Sequence, residues 1–137
     1  MRSKEVQLSK SDAEKFYAAH SGRFFYSRLI NFISSGLLRA NILAGPNCVE
    51  RWRKLMGPTK VFRALYEDPE SIRAMYGLTD TRNVTHGSDS PENAEKEINF
   101  FFPDFDFEVW RNEEQKWFQD TKVTFCSYDN VHKIVKS

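Results

Sequence analysis

Apolar residues recur at helical spacing along most of this chain, with short strand-like runs between them. Ser9 and Ser11 are suited to cap a helix: Asp12 and Glu14 fall in its first turn, and Ala13, Phe16, Tyr17 and His20 follow at steps of three and four. Gly22 breaks that pattern. A second helix is predicted to begin near Phe24, with Phe25, Leu29, Phe32 and Ile33 on one face and Gly36 as its stop. Residues 2–8 and 37–44 read as strands. Gly45-Pro46-Asn47 opens a third helix, with Val49, Trp52 and Met56 inward, and Gly57-Pro58 ends it. Residues 59–70, punctuated by Asp68-Pro69, predict a loop. Residues 71–76 predict a short helix ending at Gly77, and residues 83–86 a short buried strand. Ser90 suits an N-cap and Pro91 the first helical position. The helix they start carries Ala94, Ile98, Phe101 and Phe102 on one stripe and stops at Pro103. Mixed strands and helices with turns between them define an α+β class. Residues 108–137, charged and aromatic around Trp110 and Trp117, read as a C-terminal extension to a domain formed by residues 1–107.

Composition narrows the function classes. The 137 residues make one domain's worth of chain, long enough to bury a real core. Twenty Lys and Arg against 19 Asp and Glu leave a formal charge of +1, which argues against a generic nucleic-acid or polybasic membrane binder. Twelve Phe in a chain that is 40% hydrophobic argue for a packed interior rather than disorder. No apolar run approaches the roughly 18 residues that span a bilayer, and the first residues carry no apolar signal-like core. Cys48 and Cys126 lie far apart and form no C-x-x-C pair, as expected of free thiols in an intracellular protein.

One segment stands out chemically: Asn83-Val-Thr-His86-Gly-Ser88-Asp89-Ser90. It places a histidine just before a helix N-terminus, whose free N–H groups and partial positive charge attract phosphate. Gly87 removes a side chain beside the imidazole. Ser88 and Asp89 offer partners that fix a tautomer, and Glu97, two turns into the helix, reaches for a ring nitrogen. A histidine so placed suits nucleophilic attack on phosphorus. On pattern alone the same residue also suits a loop or capping role. Phe25 and Leu29 at i, i+4 equally fit a core face, and Arg53 and Arg73 equally fit a solvated surface. His20 and His132 have no comparable setting.

The segment from Asn83 to Ser90 resembles the active-site motif of the nucleoside diphosphate kinases. Arg23-Phe24-Phe25, Leu55-Met56-Gly57-Pro58-Thr59, Ser71-Ile72-Arg73, Arg82-Asn83 and Ala94-Glu95-Lys96-Glu97-Ile98 occur in that family's order and near its spacing. The resemblance covers roughly residues 5–107 and is nearest to the divergent second group of the family. It implies a ferredoxin-like antiparallel sheet flanked by helices. It also implies transfer of the γ-phosphoryl group from ATP to a nucleoside diphosphate through phosphohistidine at His86. Arg53, Thr59 and Arg73 would hold phosphate oxygens, Asn83 would reach the sugar and phosphate side, and Phe25 would stack on the base with Leu29 behind it. Tyr17, Ser88 and Glu97 would surround and orient the imidazole. Mg²⁺ would arrive bridging the nucleotide phosphates, with no dedicated protein metal site. The implied partners are ATP and nucleoside diphosphates, not nucleic acid or membrane, and the implied compartment is cytoplasm or mitochondrion.

The chain also departs from the family. Members begin with an apolar strand ending in Lys-Pro-Asp and a helix, neither of which is seen here, so the resemblance is to an N-terminally truncated member. An inner strand missing from the sheet is expected to leave unpaired backbone and an open apolar slot, with weak folding or weak transfer. The alternative is then a nucleotide-binding or partner-binding module with little turnover. The stretch from Gly57 to Arg73 is longer than in common hexameric members, which leaves the oligomeric state open.

Overall fold

A computed structural model describes residues 1–135. Strand β1 (Ser3–Val6) pairs antiparallel with β2 (Leu38–Asn41), Ser3 opposite Asn41 and Val6 opposite Leu38. Between them lie α1 (Lys10–Phe16), a 3₁₀ turn (Ala18–His20) and α2 (Tyr26–Ile33). The β2 strand is shorter than the sequence suggests, although Ile42 N–H still reaches the Arg2 carbonyl at 2.9 Å and extends the pairing by one residue. Helices α3 (Cys48–Met56), α4 (Val61–Glu67), α5 (Ile72–Tyr76) and α6 (Pro91–Phe101) follow. The caps at Ser9 and Ser90 agree with the sequence: their hydroxyls accept the N–H groups of Asp12 and Asn93, and Pro91 opens α6. Ser71, expected inside the short helix, instead caps α5 by accepting the Ala74 N–H.

Two segments differ from expectation. Residues 61–67 form a helix, not a loop. Val61 and Ala64, one turn apart, are buried, and the Asp80 carboxylate accepts the otherwise free Val61 N–H at 3.1 Å. Pro58 and Asp68-Pro69 bracket this helix rather than break it. Residues 83–86 form no strand. Val84 has φ +74°, a left-handed conformation costly for a β-branched residue, and Thr85 N–H turns back to the Asn83 carbonyl at 2.9 Å.

Burial concentrates in two apolar clusters. Ala13, Tyr17 and Ile30 pack α1 on α2, with Phe16, Leu29 and Ile33 around them. Ala40, Ile42 and Phe102 pack β2 on α6, with Leu38, Ile98 and Phe101 alongside. The architecture is α+β, with helices against antiparallel strands. The C-terminal stretch forms α7 (Phe107–Val109), a π turn (Trp110–Glu114), α8 (Gln115–Gln119) and a hairpin of β3 (Val123–Cys126) and β4 (Val131–Ile134). It returns to the rest of the chain: Arg111 pairs with Glu95 on α6, the N-terminal ammonium donates to the His132 carbonyl, and Phe118 is buried.

If that stretch is part of the cooperative fold, Phe118→Ala will cost about 3 kcal/mol in urea unfolding, the usual scale for emptying a buried aromatic site. A loss near zero would mean the stretch unfolds independently.

Candidate functional site

His86 sits in the irregular segment between α5 and α6, and two helices position it from opposite sides. From α6, Glu97 takes its ring: the carboxylate oxygens lie 2.9 and 3.0 Å from Nε2. Ser88 donates its hydroxyl to the same carboxylate. From α3, the Trp52 indole N–H donates to the His86 carbonyl at 3.1 Å, and Arg53 Nη1 donates to the Gly87 carbonyl at 3.4 Å. Phe16 and Tyr17, at the end of α1, present ring edges to the imidazole at centroid distances of 5.3 and 6.0 Å.

Arg73, on α5, is buried and bridges two stretches of chain. Its Nη1 donates to the Gly57 carbonyl at 3.0 Å and to Thr59 Oγ1 at 3.4 Å, and its Nη2 to the Thr85 carbonyl at 3.0 Å. Its Nε is buried with no partner among the described residues. Asn83 Nδ2 donates to the carbonyls of Thr59 and Asp80 at 3.3 and 3.1 Å. Consecutive carbonyls at Thr85, His86 and Gly87 thus each receive a side-chain N–H. That accounts for the absent strand: side chains supply what a neighbouring strand would otherwise provide.

The electrostatics follow from burial and neighbours. Burial pushes the Glu97 carboxyl up, but the hydrogen bonds from His86 and Ser88 help to outweigh it and hold the group below its ordinary value. Burial, aided by the Glu97 charge, pushes the Tyr17 phenol up to about 12, so Tyr17 stays neutral beside the imidazole. Burial and the nearby Arg53 lower the Arg73 guanidinium, which nonetheless remains charged at neutral pH.

The sequence-predicted residues fall into two groups. His86, Ser88, Glu97 and Tyr17 converge on one imidazole, and Arg53, Thr59, Arg73 and Asn83 brace the backbone on its other side. Phe25 does not touch His86. It lies along a ring series, 5.7 Å from His20, which is 5.8 Å from Tyr17. Leu29 packs beside Tyr17 in the α1–α2 cluster. A cavity of about 610 Å³ is lined by Leu29, Ile33, Leu38, Ile98 and Phe101, with His86 and Glu97 among its polar walls.

Phe16, His20 and Trp52 were not among the residues singled out by the sequence. His20 carries only its spacing on α1, and Trp52 reads as one more inward residue of α3. Its partner is a carbonyl 34 positions away, which no local pattern reveals.

The nucleoside diphosphate kinase family profile matches residues 1–107. Nucleoside diphosphate kinase 6 of Danio rerio is 50% identical over 134 residues, spanning 98% of this chain and 77% of that protein. Its Homo sapiens counterpart is 48% identical, spanning 98% and 72%. Among solved structures, the Aquifex aeolicus nucleoside diphosphate kinase superposes with a TM-score of 0.71 at 39% identity, covering 74% of this chain and 72% of that one.

The Glu97 geometry gives a pH prediction. Its folded value is depressed, so its ionised form contributes stability above the ordinary carboxylate range, and the contribution fades as acid protonates it. Glu97→Gln is expected to be less stable than wild type at neutral pH, with the gap closing as the pH falls through and below the ordinary carboxylate range, seen by urea unfolding across a pH series. A gap that persists unchanged into acid would contradict this.

Proposed function

The chain belongs to the nucleoside diphosphate kinase family of phosphotransferases, and from that premise we propose that it carries the γ-phosphoryl group of ATP to a nucleoside diphosphate on Nδ1 of His86. The observation that carries this reading is the Glu97 contact. With Nε2–H donating to that carboxylate, the ring's lone pair lies on Nδ1, and the tautomer suits a nucleophile. In the first half-reaction Nδ1 attacks the γ-phosphorus. The bond to the β–γ bridging oxygen breaks, and the diphosphate leaves with that electron pair. In the second, a terminal oxygen of the acceptor diphosphate attacks the same phosphorus, and the P–N pair returns to Nδ1. Glu97 keeps the Nε2 proton throughout and offsets the positive charge the ring takes while phosphorylated.

Catalysis on this reading is placement and charge neutralisation rather than proton transfer. Arg53 is exposed with guanidinium N–H groups to spare after its Gly87 contact, and it would grip phosphate oxygens bidentately. Arg73 adds positive charge behind Thr59 and Thr85, Thr59 offers its hydroxyl, and Asn83 would meet the sugar side. Phe25 would stack on the base, with Leu29 supporting Tyr17 behind it. Ser88 steadies Glu97. The catalytic unit is residues 1–107, with 108–137 as an appended element.

No group of three or more His, Cys, Asp or Glu able to hold a metal occurs among the described residues, and the Glu97 carboxylate is already taken by His86 and Ser88. On this reading Mg²⁺ would enter as part of the substrate, on the nucleotide phosphates, whose charge it would neutralise. ATP and nucleoside diphosphates are the partners, and cytoplasm or mitochondrion the setting.

Incubation with γ-labelled ATP and Mg²⁺ tests the reading. The expected product is a protein label that is acid-labile, base-stable, absent from His86→Ala, and chased onto added nucleoside diphosphate. Nucleotide binding without any label would instead favour a binding module with little turnover.

A further inference from the structure

We propose that Trp52 is a positioning residue for the phosphoryl-accepting histidine, acting on the backbone that carries it; this rests on the reading of His86 given above. The indole N–H donates to the His86 carbonyl at 3.1 Å. The same ring closes over Gly87: a Cβ built there would stand 2.5 Å from Trp52 Cδ1, 2.7 Å from Nε1 and 2.8 Å from Met56 Cε. A contact of that kind leaves no space for any other residue at 87. The α3 helix thus fixes the His86–Gly87 peptide through one directional bond and one steric wall.

The need for such a brace lies two residues upstream. Val84 turns through φ +74°, a conformation that persists only when its surroundings over-determine it. Residues 83–87 have no partner strand among the described residues to do so. Arg73 holds the carbonyl before His86 and Arg53 the one after Gly87's N–H, but both guanidiniums are also cations that a phosphate would draw on. Trp52 is neutral and donates a single N–H, so its hold on His86 does not compete with substrate. Glu97 sets the ring's rotation, and Trp52 sets the position of the backbone from which the ring swings. Both are required to place Nδ1 on line with a phosphorus, because small misplacements of a reacting atom are costly in rate.

The test uses the full chain with Trp52→Phe, which removes the donor and keeps an aromatic ring. A second variant carries benzothienylalanine at position 52, keeping the bicycle and replacing N–H by sulfur, so that a folding failure of the first does not end the matter. The readouts are the single-turnover rate of His86 labelling from γ-labelled ATP and the dissociation constant for ADP. The expected result is labelling slowed about tenfold or more, since a misplacement of about 1 Å can cost about a hundredfold, with ADP affinity within about twofold of wild type because Trp52 donates to the His86 backbone and not to nucleotide. Labelling at the wild-type rate, or rate and affinity falling together, overturns the proposal. An unlabelled wild-type protein overturns the His86 reading and this proposal with it; a labelled wild type beside an equally labelled variant overturns this proposal alone.

Discussion

Three successive carbonyls, those of Thr85, His86 and Gly87, are held by side-chain N–H groups from Arg73, Trp52 and Arg53. The rest of the site depends on this capture. A segment without a partner strand must satisfy its polar backbone by other means or stay solvated and mobile. Here α3 and α5 supply the donors, so the histidine sits on irregular chain that is nonetheless tied at every step.

Charge is arranged around that segment with equal economy. Two guanidiniums approach from the α3–α5 side and one carboxylate from α6. The carboxylate stays ionised because its hydrogen bonds outweigh its burial, and the neighbouring phenol stays neutral because its burial is not relieved. The imidazole therefore has one anionic neighbour at Nε2 and one neutral aromatic wall.

Much of this was legible in the sequence. Serine caps, Pro91 and the glycine stops set helix boundaries through local chemistry, and local chemistry needs no tertiary knowledge. The convergence of His86, Ser88 and Glu97 was legible too, since Glu97 and the N-cap share one helix and its periodicity fixes where they face. The α4 helix was missed because its flanking prolines resemble loop punctuation, while its stabilising contact comes from Asp80, 19 residues away from Val61. The absent strand at 83–86 was missed for a related reason. Its residue types suit a strand, but whether a strand forms is decided by which donors stand nearby. Trp52 was placed on the right face of α3 without its role, because a hydrogen bond to a distant carbonyl leaves no trace in spacing.

The two grips on His86 come from different helices, Trp52 on α3 and Glu97 on α6. The imidazole is in effect a pointer suspended between two supports, and its aim records their separation. Packing changes anywhere along either helix, including the Phe101 and Phe102 end of α6 where it meets β2, would be read out as a tilt of that pointer. Residues far from His86 would thereby acquire a say in the direction of its ring through alignment alone.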